Sequence, residues 1–179
     1  MVAYFQSVIG KEAKNQIIMS EGKMPDRVVA CAGGGSNALG IFSGFLDEKN
    51  TELVAVEAGG KDNKTGNHSR TLEFGETDII HGMKTLVLFP HEVYSIAPGL
   101  AYPGISPMLS FLVQNGRVKV GCADDIEALN AMKVLAHNEG IIPAIESSHA
   151  LAYVLSNPQK GKITIVNVSG RGDKDLETC

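Results

Sequence analysis

The residues best suited to chemistry are Gly33, Gly34, Gly35, Ser36 and Asn37, within the stretch CAGGGSNALG from Cys31 to Gly40. The run before them, RVVACA, has the β-branched character of a buried strand, and SNALGIFSGFL after them takes up helical spacing behind a Ser/Asn cap. Strand, glycine turn and helix start together aim unpaired backbone N–H groups at one point, where the helix dipole also favours an anion. The chemistry this suggests is phosphate binding. The stretch is not a Walker loop, because no Gly-Lys-Ser/Thr follows, and it is not a complete GxGxxG pattern. Glu57 closes the next apolar run, roughly where a ribose-binding acid would fall, so a nucleotide reading stays open. So does a tight turn without any ligand.

A second cluster, ESSHA from Glu146 to Ala150, sets serines beside a histidine. Neighbours on a helix point in different directions, so Ser147 or Ser148 and His149 are poorly placed as nucleophile and base. No GxSxG elbow occurs. The serines are expected to cap the helix, with Glu146 gaining from the dipole at its start. His68, His81, His91 and His137 lack metal-ligand spacing and read as loop or surface residues. Cys31, Cys122 and Cys179 form an odd set without CxxC spacing. That suits a reducing compartment, with Cys31 and Cys122 as buried small side chains near strand ends.

The elements that must position these groups follow from pattern. A chain of 179 residues with 44% apolar and 20% charged content is expected to form a single α/β domain over residues 1–179. A net charge of −4 without basic runs excludes a nucleic-acid surface, and no apolar run is long enough for a membrane span. The N-terminus is too charged for a secretory signal, so the expected location is cytoplasmic. A first helix is predicted over 8–21, stopped by Gly22, and another over 36–47. ELVAVEA, RVKVGCA and KITIVNVSG read as strands, TLVLF as a further one, and residues 59–81 as loop. APGLAYPGISP reads as irregular, DDIEALNAMKVLAHNEG as a helix stopped at Gly140, and a last helix starts near Glu146. Strands alternating with helices predict a three-layer αβα fold around a mostly parallel sheet. The polar turns GGGSN, EAGG and SGRGD then lie at strand ends where such folds bind ligands.

Taken together, FQSVIGKE, CAGGGSNALG, VEAGG, HGMK, GLAYPG, HNEGIIPAIESSHALA and VNVSGRGDKD resemble, in order, the β chains of tryptophan synthase. These are pyridoxal-phosphate enzymes of fold type II. The resemblance runs from Phe5 to Asp175 and covers the family's C-terminal, cofactor-embracing domain. It implies a chemistry: dehydration of L-serine on pyridoxal phosphate and addition of indole to give L-tryptophan. Gly33, Gly34, Gly35, Ser36 and Asn37 match the loop that cradles the cofactor phosphate. Ser169 matches the serine that hydrogen-bonds the pyridine nitrogen, and Glu146 the acid beside the ring. Backbone carbonyls at Gly33, Tyr102 and Gly104 match the family's monovalent-cation site.

Departures from the family qualify that implication. Its Schiff-base lysine belongs to an N-terminal segment with no counterpart here, and none of the twelve lysines sits in that lysine's local motif. Lys84 and Lys174 are family-pattern lysines of other kinds. Ala101 stands where an aspartate is usual, Ser106 to Leu109 replace a polar Gly-Pro-Glu-His type of sequence, and the link from Met83 to Tyr94 is short enough to drop a hairpin. The expectation is a phosphate cradle without a Schiff base, not catalytic alone. An uncovered sheet edge and apolar face would pair as a homodimer or with a synthase chain. Two alternatives stand beside it: a binding or regulatory module for a small phosphorylated ligand, and an enzyme recruiting another lysine.

Overall fold

The computed structural model describes residues 1–178. In chain order the elements are α1 (Val2–Glu21), β1 (Arg27–Cys31), α2 (Ser36–Phe42), β2 (Glu52–Gly60), α3 (Thr71–Phe74), β3 (Glu76–Ile80) and β4 (Met83–Val87). Then come α4 (Pro107–Gln114), β5 (Val118–Asp124), α5 (Asp125–Glu139), α6 (Ile145–Ser156) and β6 (Thr164–Val166). Four strands form a parallel sheet in the order β5-β2-β1-β6. β1 and β2 are buried almost throughout, as the near-continuous apolar runs required.

Alternation along β1 divides the core between two faces. Val28 and Ala30 pack with Leu39, Phe42 and Leu109 from α2 and α4, against which Ile9, Ala13 and Ile17 of α1 also rest. Val29 and Cys31 face the other way, with Ala131 and Met132 of α5 and Ile145 and Ala150 of α6. The three-layer expectation holds. α1 lies close against the α2 region because Gly10 meets Gly40 and Gly44: a Cβ on Gly44 would sit 2.2 Å from the Gly10 carbonyl oxygen.

Helix ends follow their residue types. α1 and α5 stop at Gly22 and Gly140, both left-handed, and α5 opens with a capping box between Asp124 and Glu127. Several expectations needed correction. α1 begins at Val2, not Val8, and α2 ends at Phe42. Residues 59–81, read as loop, contain the end of β2, α3 and β3, which pairs with β4 in an antiparallel hairpin turning at His81 (φ 50°) and Gly82. TLVLF contributes only its first three residues to β4, and α4 was not foreseen. Cys122 is exposed and His68 is buried at 6% exposure, each opposite to the sequence reading. Cys122 lies on β5, at the edge of the sheet, while Phe74 packs over the His68 ring.

Candidate functional site

The chain leaves β1, builds the sheet outward through β2 and β5, and returns to β6 on the opposite side of β1. The glycine turn after β1 and the turn after β6 therefore flank the point where strand order reverses, the usual place for a ligand in such sheets. A cavity of about 150 Å³ opens there. Gly33, Gly34, Gly35, Ser36, Asn37, Glu146 and Ser169 all line it, joined by Cys31, Gly99 and Leu100.

Glycine is required at this turn for two separate reasons. Gly35 has φ 92° and precedes α2, while a Cβ on Gly33 would stand 2.5 Å from the Gly99 carbonyl oxygen. Gly34 differs, because a Cβ there meets only Tyr102, at 4.0 Å. Among the described residues, no acceptor meets the backbone N–H of Gly33 through Asn37, and α2 has no side-chain cap. These donors, gathered at a helix start, suit a phosphate group.

The Asn37 side chain is engaged elsewhere. Its Nδ2 donates to the Cys31 carbonyl at 2.7 Å and to Cys31 Sγ at 3.4 Å, and its Oδ1 accepts from Asn167 Nδ2. Cys31 Sγ lies 3.8 Å from Ser169 Oγ. Burial pushes the Cys31 thiol up to about 11, so it stays protonated at neutral pH.

Glu146 projects from the first turn of α6, where Gly99 N–H donates to Oε1 (3.2 Å) and Lys174 Nζ to Oε2 (3.0 Å). Lys174 also reaches both Asp175 oxygens, at 2.7 and 2.9 Å. Burial works against its charge, but the carboxylates of Asp175 and Glu146 outweigh that and raise its pKa. Asp175 Oδ2 accepts from Ile145 N–H and so supplies the cap at the start of α6. Ser147 and Ser148 do not cap it. Both hydroxyls donate to the Ala144 carbonyl. His149 is fully buried, bonds the Ile145 carbonyl through Nδ1, and is held neutral by burial.

Glu57 is likewise occupied. Its oxygens accept from Leu72 N–H (2.6 Å) and Glu73 N–H (3.3 Å) at the start of α3, which removes it from any nucleotide role. Burial raises its pKa to about 8, against the opposing pull of those two amides. Two of the three carbonyls expected around a cation belong to residues with other engagements. Gly33 lines the phosphate-sized cavity, and Tyr102 lines a neighbouring apolar cavity of about 430 Å³ that also touches Gly34 and Ser36. The Tyr102 carbonyl accepts from the Ser69 and Thr71 hydroxyls, while Gly104 bridges to Val87. Among the described residues, no cluster of His, Cys, Asp and Glu could hold a metal, and no helix is long and apolar enough to cross a membrane.

A parallel sheet with a glycine turn at its switch point places the chain among the α/β folds that bind ligands there, and sequence comparison narrows the class. Residues 1–170 match the family described as pyridoxal-phosphate dependent enzyme, and the chain belongs to that family. It is 50% identical over 184 aligned residues to a tryptophan synthase beta chain of Fusobacterium nucleatum subsp. nucleatum, covering 98% of this chain and 47% of that one. A threonine deaminase from T.th. superposes with a TM-score of 0.69 at 21% identity, over 95% of this chain and 57% of the other. A fungal L-serine ammonia-lyase from Rhizomucor miehei gives 0.68 at 22%, over 94% and 51%. At those identities the two structures speak for the fold. The chain spans about half the length of the relatives it matches.

The residues present fit pyridoxal phosphate. The amides and helix start of the glycine turn would hold its phosphate, and Ser169 would meet its ring nitrogen. Sequence reasoning missed Lys174 as the partner of Glu146 and Asp175 as the cap of α6. Their 28- and 30-residue separations carry no spacing signal.

Proposed function

We propose that this chain is the phosphate-holding part of a tryptophan synthase β-type protein. The backbone amides of Gly33 to Asn37 grip the phosphate of pyridoxal phosphate, Ser169 faces the ring nitrogen, and Glu146 stands beside the ring. When bound, the cofactor supplies the electron sink for β-elimination and replacement on an amino acid. This chain's residues fix the anion and orient the ring. The observation that carries the reading is the convergence of all seven candidate residues on one cavity, with five consecutive amides lacking an internal acceptor.

Taken alone, the chain binds the cofactor without covalent attachment and makes no tryptophan from serine and indole. The support is negative in charge terms: Lys174, the lysine beside the cavity, is held as an ammonium by Glu146 and Asp175, which suits a counter-ion and disfavours a nucleophile. The carbonyls of Gly33, Tyr102 and Gly104 remain the proposed monovalent-cation ligands. Tyr4, Phe5 and Val8 on α1 and Met108 and Phe111 on α4 are exposed, which supports pairing with a second copy or with a synthase chain.

Titration with pyridoxal phosphate, followed by absorbance and by competition with inorganic phosphate, tests the reading. Saturable binding that phosphate displaces, with no lysine labelled after borohydride, is the expected result. Absence of binding overturns the cradle, and a labelled lysine overturns the non-covalent part. Sedimentation at micromolar concentration tests pairing, which a clean monomer would contradict.

A further inference from the structure

We propose that Cys31 and Asn37 fix the direction of the Ser169 hydroxyl so that it donates into the cavity, making this end of the cavity selective for a neutral hydrogen-bond acceptor. Cys31 and Asn37 are positioning residues in this scheme. The Cys31 thiol and the Asn37 side chain act through Ser169; the Asn37 backbone amide belongs to the phosphate turn. The choice of ligand rests on the cofactor reading above, whereas the hydrogen-bond directions rest only on this chain.

The orientations of the two amides follow from one group whose role is fixed. The Cys31 carbonyl can only accept, so the amide group 2.7 Å from it must be the nitrogen of Asn37. Asn37 Oδ1 consequently faces Asn167, which must present its own nitrogen. The turn after β6 is anchored at this point, because Asn167 N–H also donates to the Val29 carbonyl at 2.9 Å. Asn37 Nδ2 carries a second hydrogen, and Cys31 Sγ lies 3.4 Å away to accept it. Sulfur that accepts from Asn37 keeps its own S–H available to donate. The neighbour available to it is Ser169 Oγ, at 3.8 Å, within the reach of a long, weak sulfur hydrogen bond. The proposal assigns the S–H as the donor in this contact, which frees the Ser169 hydrogen to point into the cavity that it lines.

Burial keeps the sulfur in the thiol form that this relay needs. The consequence is a selection rule. An unprotonated pyridine nitrogen meets a donor, while a protonated one presents N–H to O–H and is disfavoured. Ser169 without the thiol can rotate and serve either form. The thiol removes that ambiguity.

Two measurements test this, one of them without any ligand. In a Cys122→Ser, Cys179→Ser background, infrared spectroscopy isolates the S–H stretch of Cys31. The expected band lies at the lowered frequency of a donating thiol and rises in Ser169→Ala. A band unmoved by Ser169→Ala overturns the relay. The second measurement compares binding of pyridoxal phosphate with that of its analogue carrying CH in place of the ring nitrogen. The chain prefers the cofactor by about tenfold, the worth of one hydrogen bond. Cys31→Ala reduces that preference to within about threefold, Cys31→Ser restores it, and affinity for inorganic phosphate stays level throughout. A tenfold preference retained in Cys31→Ala overturns the proposal. Should the unaltered chain bind no inorganic phosphate, the cofactor reading fails and the infrared shift alone decides the relay.

Discussion

Two turns at the same end of the sheet treat their helix amides in opposite ways. After β2, the buried carboxylate of Glu57 reaches α3 and takes the N–H groups of Leu72 and Glu73. After β1, the amides ahead of α2 meet no carboxylate, and glycines hold them around a cavity. α5 and α6 side with the first turn, since Asp124 and Asp175 accept from their opening amides. At α3, α5 and α6 a carboxyl group of the chain itself meets the opening amides. Where the chain keeps glycine, an anion from outside fits.

Gly34→Asp converts the second kind of turn into the first. Space for the new Cβ exists, with Tyr102 4.0 Å away, so the fold should persist with an unchanged circular-dichroism spectrum. A fixed carboxylate among these amides competes with and repels phosphate. Affinity for pyridoxal phosphate should fall roughly a hundredfold, about 3 kcal/mol, in a fluorescence titration. Equal binding by the variant would place the phosphate elsewhere.

The reverse change acts on Glu57. Glu57→Leu leaves the buried Leu72 amide and the half-buried Glu73 amide without their acceptor and should cost about 2 kcal/mol of stability at pH 6, read from urea midpoints. The pH dependence has a definite sign. Burial raises this carboxyl from an ordinary 4.5 to about 8, so the folded chain keeps a proton that the unfolded chain releases. Its contribution is complete below about 4.5 and is lost as pH rises through about 8. Stability should fall across that window by at most about 1.4 kcal/mol per pH unit, and Glu57→Gln should flatten the slope.

The same contrast explains what the sequence reveals. The glycine turn is legible because backbone geometry dictates residue type within five consecutive positions. β1, β2 and α5 are legible because burial on both faces, or a capping box, writes a continuous local pattern. Hidden features depend on partners far along the chain. Asp175 caps a helix that begins 30 residues earlier, and nothing near either residue announces it. Hairpin β3–β4 is obscured for another reason: Glu76, Thr77, Asp78 and Ile79 are all exposed, so no alternation marks the strand. The start of α1 is concealed because Tyr4 and Phe5 are exposed, and periodicity cannot report a face that this chain does not bury. α4 begins with Pro107, which reads as punctuation although it occupies the first helical position.

Asp175 tests whether an internal carboxyl remote in sequence behaves as Glu57 does. Asp175→Ala removes the acceptor of Ile145 N–H and should cost about 1 kcal/mol, the usual worth of a helix cap. Hydrogen exchange should quicken at the first turn of α6 and remain slow in β1 and β2.

Lys174 offers the mildest and most selective perturbation, because it touches both kinds of carboxylate at once. It bonds Glu146, which lines the cavity, and Asp175, which caps α6. The lysine side chain is half-exposed, so solvent screens the pair and Lys174→Met should change stability by only about 0.5 kcal/mol. Its effect on the site is different in kind. Glu146 keeps the Gly99 N–H but loses its ammonium, leaving a net negative charge beside the cavity. Phosphate and cofactor binding should weaken by about threefold at low salt, and the loss should shrink as ionic strength rises. A salt-independent loss would mean that Lys174 serves the shape of the turn, and the division between internal and external anions would then not extend to this side of the cavity.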